Sequence, residues 1–391
     1  MSDFAARLRR FMQASAGAVV CPPTATSARG PSDLEEAFNA LALDLFALQF
    51  THNLPYRRWC ESRGVSPGRV DRWQDLPAVP TSTFKEIDWT SLRPDERSAV
   101  FYSSGTTSQR RSRHFHHAES LALYEASVQH GFEAGLRRAP ACTARRFFCL
   151  TPPREQAPHS SLAHMFEGLI RAQGEPGSAF FGCAQEDGAW AVELSALIDA
   201  LQKIAADAQP VALLGTAFQF VHLLDALTER EQRLRLPPGS WLLETGGYKG
   251  RTRELPRATL HQRLRERLGL SRAQIICEYG MAELSSQAYA VADPYEEQAP
   301  PDASSQARDI RVFHFPPWAR VRVLDPETGR EAGEGEEGLI CVLDLANVWS
   351  VSAVQTEDLA VKRDTGFTLL GRVPQAEARG CSLLSSEEVG A

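Results

Sequence analysis

Short apolar runs of strand length alternate with amphipathic stretches of helix length through the middle of this sequence. The strand-like runs are residues 146–150, 211–215, 241–244 and 275–278, and the helix-like stretches are 161–172, 190–206, 218–227 and 259–268. Buried strands that alternate with amphipathic helices are typical of a largely parallel sheet covered by helices. The sequence therefore predicts an α/β domain.

The pattern changes after residue 320, where strand-like runs follow one another with turn residues between them. These runs lie at 321–324, 339–343, 359–362 and 367–370. Successive strands joined by turns predict an antiparallel subdomain. Nearer the N-terminus, residues 33–51 carry apolar side chains at helical spacing behind an N-cap signal, which predicts a helix. We expect residues 53–88, which Pro and Trp interrupt, to be irregular, and residues 292–308 to form a surface loop.

Charge and cysteine usage exclude several classes of protein. The chain has 42 Lys plus Arg against 49 Asp plus Glu, a formal charge of −7, so nucleic acid is not an expected partner. No stretch approaches the ~20 apolar residues of a membrane span. The N-terminal residues 1–21 resemble a helix more than a signal peptide, and we therefore expect a cytoplasmic protein. The eight cysteines lack Cys-x-x-Cys or Cys/His zinc spacing, so most are expected to be free and buried.

The run from Tyr102 to Ser108 has the composition of a phosphate-binding loop. Gly105 lies among hydroxyl residues, so main-chain N–H groups and hydroxyls can surround a phosphate in a tight turn. The arginines at 110, 111 and 113 add charge-assisted donors. The run is not a Walker A loop, because no G-x-x-x-x-G-K-[S/T] occurs in the chain. An ordinary Ser/Thr turn with a solvated basic tail is the alternative.

Two further motifs each follow a strand-like run. In Glu244-Thr245-Gly246-Gly247-Tyr248-Lys249-Gly250, paired glycines at the end of a strand let a flat ligand approach the backbone. In Glu278-Tyr279-Gly280-Met281-Ala282-Glu283, the last carboxylate is suitably placed to hold Mg²⁺, which prefers oxygen ligands. Taken singly, the first is equally an ordinary strand–loop turn, and Glu283 is equally a helix cap.

A fourth motif combines Thr356-Glu357-Asp358-Leu359 with Gly371-Arg372. An acidic side chain accepts both hydroxyls of a ribose, and an Arg meets a phosphate. By themselves these are routine hairpin residues.

In order and approximate spacing, the four motifs together resemble those of the adenylate-forming, or acyl-activating, enzyme superfamily. Within it, the sequence is most similar to the acyl-protein synthetase (LuxE-like) family of bacterial bioluminescence. The segments that carry this likeness are Val79-Pro80-Thr81-Ser82-Thr83-Phe84-Lys85, residues 244–250, residues 278–287 and Arg379-Gly380-Cys381-Ser382-Leu383. The resemblance spans residues 38–383. It implies a large N-terminal acyl-activating (ANL-type) α/β domain at 1–370, β-rich from about 310, and a truncated C-terminal segment at 371–391.

The resemblance implies a role for each matching residue. The ATP β- and γ-phosphates would be enclosed by Ser103, Ser104, Gly105, Thr106, Thr107 and Ser108, and the adenosine would contact Gly246, Gly247, Tyr248, Tyr279 and Gly280. Glu283 would hold Mg²⁺, Asp358 would bind the ribose hydroxyls, and Arg372 would lie near the ribose or a phosphate. The implied cofactors are therefore ATP and Mg²⁺.

In that family a fatty acid is activated as an acyl-adenylate and passed to a cysteine near the C-terminus, and the matching residue here is Cys381. Arg379 favours the thiolate of Cys381, whereas nearby glutamates oppose it. One alternative acceptor is external: coenzyme A or the phosphopantetheine arm of an acyl carrier protein. An alternative of another class is a catalytically degenerate module that binds a nucleotide or a partner within a biosynthetic assembly.

The sequence departs from the superfamily pattern in several places. Ser108 and Arg110-Arg111 stand where a second Gly and a Lys are usual, Ala282 replaces a Thr, and Glu357 replaces a Gly. About 20 residues follow Gly371, so we expect no mobile C-terminal domain with the lysine that assists adenylation in longer relatives. Candidates to replace that cation are Lys249, Lys85 and an arginine of the 110–113 run.

The acid substrate, fatty or aryl, has three candidate pocket residues, His164, Phe218 and Met281. A basic or aromatic residue at the place of His164 often shapes the carboxylate pocket of acyl-activating enzymes. The histidines at 114, 116 and 117 are expected to be ordinary core or surface residues. No G-x-S-x-G occurs, so a Ser-His-Asp acyl transferase has no sequence support.

Overall fold

A computed structural model describes residues 1–16, 31–103, 110–186, 188–246, 255–292 and 311–372. These residues contain helices α1 Ser2–Ala16, α2 Pro31–His52, α3 Leu54–Glu61, α4 Ala118–Arg137, α5 Ser161–Gln173, α6 Leu194–Ala206, α7 Ala217–Glu229 and α8 Arg257–Leu268. The strands are β1 Val79–Pro80, β2 Ala99–Tyr102, β3 Arg113–His116, β4 Phe147–Cys149, β5 Ala179–Phe180, β6 Gly182–Ala184, β7 Trp190–Val192, β8 Ala212–Thr216, β9 Trp241–Thr245, β10 Ile275–Tyr279, β11 Ala288–Val291, β12 Ala319–Leu324, β13 Glu337–Asp344, β14 Ala353–Arg363 and β15 Gly366–Arg372.

A six-stranded sheet with the order β11-β10-β9-β8-β4-β5 lies at the centre. Its strands run parallel except for β11, which pairs antiparallel with β10 at the edge. Every residue of β8, β9 and β10 is buried, as expected for strands covered on both faces. The predicted α/β fold with a largely parallel sheet is therefore confirmed.

Helices cover both faces of this sheet because its strands direct alternate side chains to opposite sides. Leu242 packs with α6, α7 and α8, whereas Trp241 and Leu243 pack with α4 and α5. One predicted helix was too long. Trp190 belongs to strand β7, which pairs with β6, and α6 begins only at Leu194.

The second sheet has the order β1-β14-β13-β12, and β15 also pairs with β14. It corresponds to the antiparallel strands predicted after residue 320, with parallel β1 added from far earlier in the chain. Strand β14 is longer than predicted because β1 pairs with its first half and β15 with its second. Asp358 therefore lies within a strand rather than at its opening. The boundary at residue 370 stays a prediction, since residues 373–391 lie outside the described part.

The segment 53–88 is less irregular than predicted, because it contains α3. The side chain of Asn53 accepts a hydrogen bond from the Tyr56 backbone N–H and caps this helix. Pro55 lies in its first turn, where a missing N–H removes no helical hydrogen bond. The predicted loop at 292–308 lies almost wholly outside the described residues. Within the described ranges, no helix has the length and apolarity needed to cross a membrane.

Candidate functional site

The base of the predicted phosphate loop is formed by two serines at the open end of the β2–β3 hairpin. Ser103 N donates to the Ser112 carbonyl oxygen at 3.2 Å, and Ser112 N donates to Ser103 Oγ at 3.0 Å. Residues 104–108 of the predicted loop lie outside the described part of the chain. The two serines bring the ends of that segment together, as a loop that encloses a ligand requires.

Glu283 lies beside this loop base. Glu283 is only 5 % exposed, and the polar side chain of Ser112 lies close enough to favour its charged form. Burial raises the pKa of Glu283, and the nearby Ser112 side chain only partly opposes that shift. The negative charge of such a buried carboxylate has few compensating partners, so a bound cation would stabilise it. This oxygen donor fits Mg²⁺ bound through one carboxylate together with phosphate oxygens.

His114 fastens the same motif to the hairpin. Its Nδ1 lies 2.9 Å from the carbonyl oxygen of Ala282. Burial lowers the pKa of His114 to about 4, so the neutral ring donates to this carbonyl at neutral pH. His116 is also buried, and its ring stacks on His114 with centroids 4.3 Å apart. Both are core residues, although both support a motif of the site.

Tyr279, Asp358 and Arg372 meet at the junction of the two sheets. The Tyr279 hydroxyl donates to Asp358 Oδ2 at 2.9 Å, and Arg372 Nε lies 3.4 Å from Asp358 Oδ1. Asp358 and Arg372 face each other across strands β14 and β15. The Asp358 side chain is 13 % exposed and that of Arg372 is 78 % exposed. The carboxylate is thus oriented from both sides, with a cationic side chain at its open edge.

Strands β9 and β10 place the glycine turn that begins at Gly246 next to the motif that contains Tyr279. Thr245 lies opposite Glu278 in the parallel register, and its hydroxyl donates to the Glu278 carboxyl group. Burial raises the pKa of Glu278 to about 7. Gly246 has a φ of +66°, which favours glycine at this turn. Residues 247–249 of the predicted adenine and cation site lie outside the described residues.

A buried aspartate behind these motifs was not identified from the sequence. Asp344 Oδ2 accepts the backbone N–H groups of Ser285 and Ser286, both at 2.8 Å. Its neighbour Asn347 donates from Nδ2 to the carbonyl oxygen of Glu283 at 2.9 Å. These contacts fix the backbone that carries Glu283. The signal in the sequence that could have identified Asp344 and Asn347 is that polar residues directly follow the apolar run of β13.

The three predicted pocket residues lie in different parts of the core. His164 on α5 is buried, and its Nε2 lies 3.0 Å from Glu125 Oε1. Phe218 is half-buried near the start of α7, on the opposite face of the sheet, and Met281 packs against the cluster around the second sheet. Their part in binding an acid stays a prediction.

Two candidates for the missing catalytic cation form ion pairs. Arg110 pairs with Glu86 at 2.8 Å, and Arg113 pairs with Asp88 at 2.9 Å. Lys85 is half-buried in the short turn that precedes Glu86. Lys249 and Cys381 lie outside the described residues.

Comparisons with known proteins agree on one family and one fold. A family model described as "Acyl-protein synthetase, LuxE" matches residues 23–390. The long-chain-fatty-acid–luciferin-component ligase of Vibrio harveyi is 23 % identical over 352 residues, which cover 88 % of this chain and 85 % of that protein. The ligase of the same description from Aliivibrio fischeri is 23 % identical over 205 residues, 49 % of each chain.

Solved structures support the fold. A 2-hydroxyisobutyryl-CoA ligase, solved in an open conformation with 2-HIB-AMP and CoA, superposes with a TM-score of 0.61 at 16 % identity, covering 91 % of this chain and 80 % of that one. The same ligase in the postadenylation state gives a TM-score of 0.60 and covers 90 % of this chain and 72 % of that one. At this identity the likeness concerns the fold alone, and it confirms the predicted α/β fold.

Proposed function

We propose a function from one premise: the chain belongs to the acyl-protein synthetase, LuxE family. This membership confirms the predicted enzyme class, an adenylate-forming acid–thiol ligase. We infer that the substrate is a long-chain fatty acid, as the descriptions of the Vibrio and Aliivibrio relatives state for those proteins. The immediate acceptor is the thiol of Cys381 in the chain itself.

One observation carries this proposal: motifs far apart in sequence meet through direct side-chain contacts. Thr245 bonds to Glu278 and Tyr279 bonds to Asp358, while Ser112 at the loop base lies beside Glu283. The contacts join the ends of strands β9 and β10 with strand β14 of the second sheet. Open α/β sheets bind ligands at the carboxyl edge of their strands, and carboxylates and a guanidinium group suited to the proposed nucleotide contacts lie near this edge.

In the proposed first half-reaction, a carboxylate oxygen of the fatty acid attacks the α-phosphorus of ATP, and pyrophosphate leaves. Both reactants are anions, so positive charge and hydrogen-bond donors must lie where charge accumulates. Asp358 would bind the ribose hydroxyls, and Arg372 at the open edge would contact the ribose or a phosphate. Glu283 would hold Mg²⁺, which when bound neutralises phosphate charge.

In the proposed second half-reaction, the Cys381 thiolate attacks the acyl carbon of the adenylate, and AMP leaves. The thiol proton passes to solvent or to a nearby base, and the product is a thioester on the chain. An external acceptor, coenzyme A or the phosphopantetheine arm of a carrier protein, would receive the acyl group through the same chemistry.

Acid-dependent exchange of labelled pyrophosphate into ATP tests the first half-reaction. The purified full chain is incubated with Mg·ATP, labelled pyrophosphate and acids of graded chain length, with acid omitted as the control. We expect exchange that requires an acid and is fastest with long-chain fatty acids. Absence of exchange with every acid would contradict the proposal and favour a degenerate nucleotide-binding module.

A further inference from the structure

Three side chains that the proposed reaction does not use converge inside the domain. Glu244 lies on β9, Cys277 lies beside it on β10, and His261 projects from α8. Each is 8 % exposed or less. Their ligand atoms all lie within 4.8 Å of one another. A thiol, an imidazole and a carboxylate therefore lie together, buried between a helix and two strands.

The distances in this cluster match those between ligands on one metal ion. Glu244 Oε2 lies 3.2 Å from His261 Nε2 and 3.5 Å from Cys277 Sγ, and Sγ lies 3.9 Å from Nε2. Tetrahedral Zn²⁺, with bonds of about 2.0–2.3 Å to oxygen, nitrogen and sulfur, places its ligand atoms about 3.3–3.6 Å apart. The three atoms need to move only a few tenths of an ångström to share an ion.

We propose that Glu244, His261 and Cys277 form a buried zinc site, separate from the Mg²⁺ site at Glu283. Three protein ligands leave a fourth coordination position for water or another donor. Binding displaces the proton of the Cys277 thiol to solvent, and no electron is transferred. Soft thiolate and imidazole donors favour Zn²⁺ over Mg²⁺, so the two sites select different ions.

The position of the site indicates its purpose. Glu244 immediately precedes Thr245 and the glycine turn, and Cys277 immediately precedes Glu278 and Tyr279. An ion held by both strands and by α8 would fix the strand ends from which two nucleotide motifs emerge. The three ligands are thus positioning residues, and metal loss is expected to loosen the nucleotide site rather than remove a reacting group.

Metal content tests the proposal. The full chain, prepared without a polyhistidine tag and dialysed after exposure to Zn²⁺, is expected to retain about one zinc per chain by elemental analysis. Cys277→Ala and His261→Ala are expected to retain less than about a tenth of that amount. Cys149→Ala is the matched control, because Cys149 is equally buried on β4 of the same sheet, and it is expected to retain zinc fully.

Cobalt provides a second, spectroscopic readout of the same site. Co²⁺ bound in place of Zn²⁺ is expected to show the near-ultraviolet absorption of a thiolate–cobalt bond, and Cys277→Ala is expected to lose it while Cys149→Ala keeps it. The wild-type chain without retained zinc and without this band would overturn the proposal. Equal zinc retention by the wild type and by folded Cys277→Ala, judged by circular dichroism, would also overturn it.

Discussion

The hydroxyl of Tyr279 donates a 2.9 Å hydrogen bond to Asp358, a residue 79 positions later in the chain. The two motifs belong to different sheets, β10 in the first and β14 in the second. This bond holds the acidic side chain against the edge where strands β9 and β10 end. The proposed ribose site is thus built across the two sheets rather than within one motif.

Replacing Asp358 is expected to weaken ATP binding. Asp358→Ala removes the proposed charged acceptor for the two ribose hydroxyls, which corresponds to about 1.5–3 kcal/mol, or roughly a 10- to 150-fold rise in KM for ATP. Tyr279→Phe keeps the carboxylate and loses only its orienting donor, so a rise of about 3- to 10-fold is expected. The measurement is the KM for ATP in the pyrophosphate exchange reaction.

Tyr289→Phe is the control for that pair. The Tyr289 hydroxyl is buried and has no hydrogen-bond partner among the described residues, so its removal is expected to leave the KM for ATP unchanged. An equal rise in all three variants would show that the Tyr279–Asp358 bond has no special part in binding ATP.

Glu283→Gln is expected to separate activity from stability. Loss of the proposed Mg²⁺ ligand is expected to lower exchange by about 100-fold or more, and to raise the Mg²⁺ concentration needed for half-maximal rate. The pKa of Glu283 is higher in the folded protein than in the unfolded chain. The charged carboxylate therefore destabilises the fold at pH values above the pKa that Glu283 has in the unfolded chain. The neutral amide is therefore expected to keep or raise the Tm by calorimetry. A clear fall in Tm with unchanged Mg²⁺ dependence would contradict this role.

Acid is expected to destabilise the chain partly through His114. Its pKa is about 4 in the folded protein against an ordinary value of 6.5, so the fold favours the neutral ring. The resulting stability is present above pH 6.5 and is lost as the pH falls towards 4, with a loss of about 3 kcal/mol. Denaturant unfolding between pH 7 and pH 4 is expected to show a shallower fall for His114→Asn.

His52→Gln provides the comparison for the acid experiment, because His52 is exposed at the end of α2. Its pH profile is expected to follow that of the wild type. Identical slopes for the wild type and His114→Asn would show that His114 does not contribute.

Gly280→Ala is expected to disturb the site although the added group is small. A Cβ at this position would lie 2.4 Å from Glu278 Oε1, and Glu278 cannot move freely because Thr245 holds it in the core. We expect a lower Tm and reduced exchange activity. Gly168→Ala on α5, where a Cβ meets nothing within 4 Å, is expected to be neutral or to stabilise by about 0.5–1 kcal/mol. Equal Tm values for both variants would contradict the close approach.

The strand–helix alternation made the central sheet predictable, because apolar periodicity records which residues face a core. Local features were less reliable. Proline suggested a break after Asn53, whereas Asn53 caps α3 and places proline in its first turn. The spacing of Trp190 fitted the apolar face of the predicted helix 190–206. In the structure Trp190 belongs to a short hairpin instead, because β7 pairs with β6.

Contacts between segments that are distant in the chain could not be predicted from the sequence. The parallel pairing of β1 with β14 joins Val79 to Val354, and no local pattern encodes such a partner. The zinc proposal shows the same limit, because Glu244, His261 and Cys277 have none of the short spacings by which zinc ligands are recognised. The four motifs were recognisable in the sequence because each consists of one or two short runs of characteristic residues, and their roles in binding a nucleotide stay predictions.

The central claim, acyl activation followed by transfer to the chain itself, is tested most directly by the mass of the protein. The full chain is incubated with Mg·ATP and a long-chain fatty acid, and its intact mass and peptides are measured. We predict a gain equal to the acid minus one water, located on the peptide that contains Cys381 and released by hydroxylamine. Cys381→Ser is expected to lose the hydroxylamine-sensitive adduct and keep pyrophosphate exchange. Active exchange with no adduct on Cys381, together with acyl-CoA formation, would contradict the account.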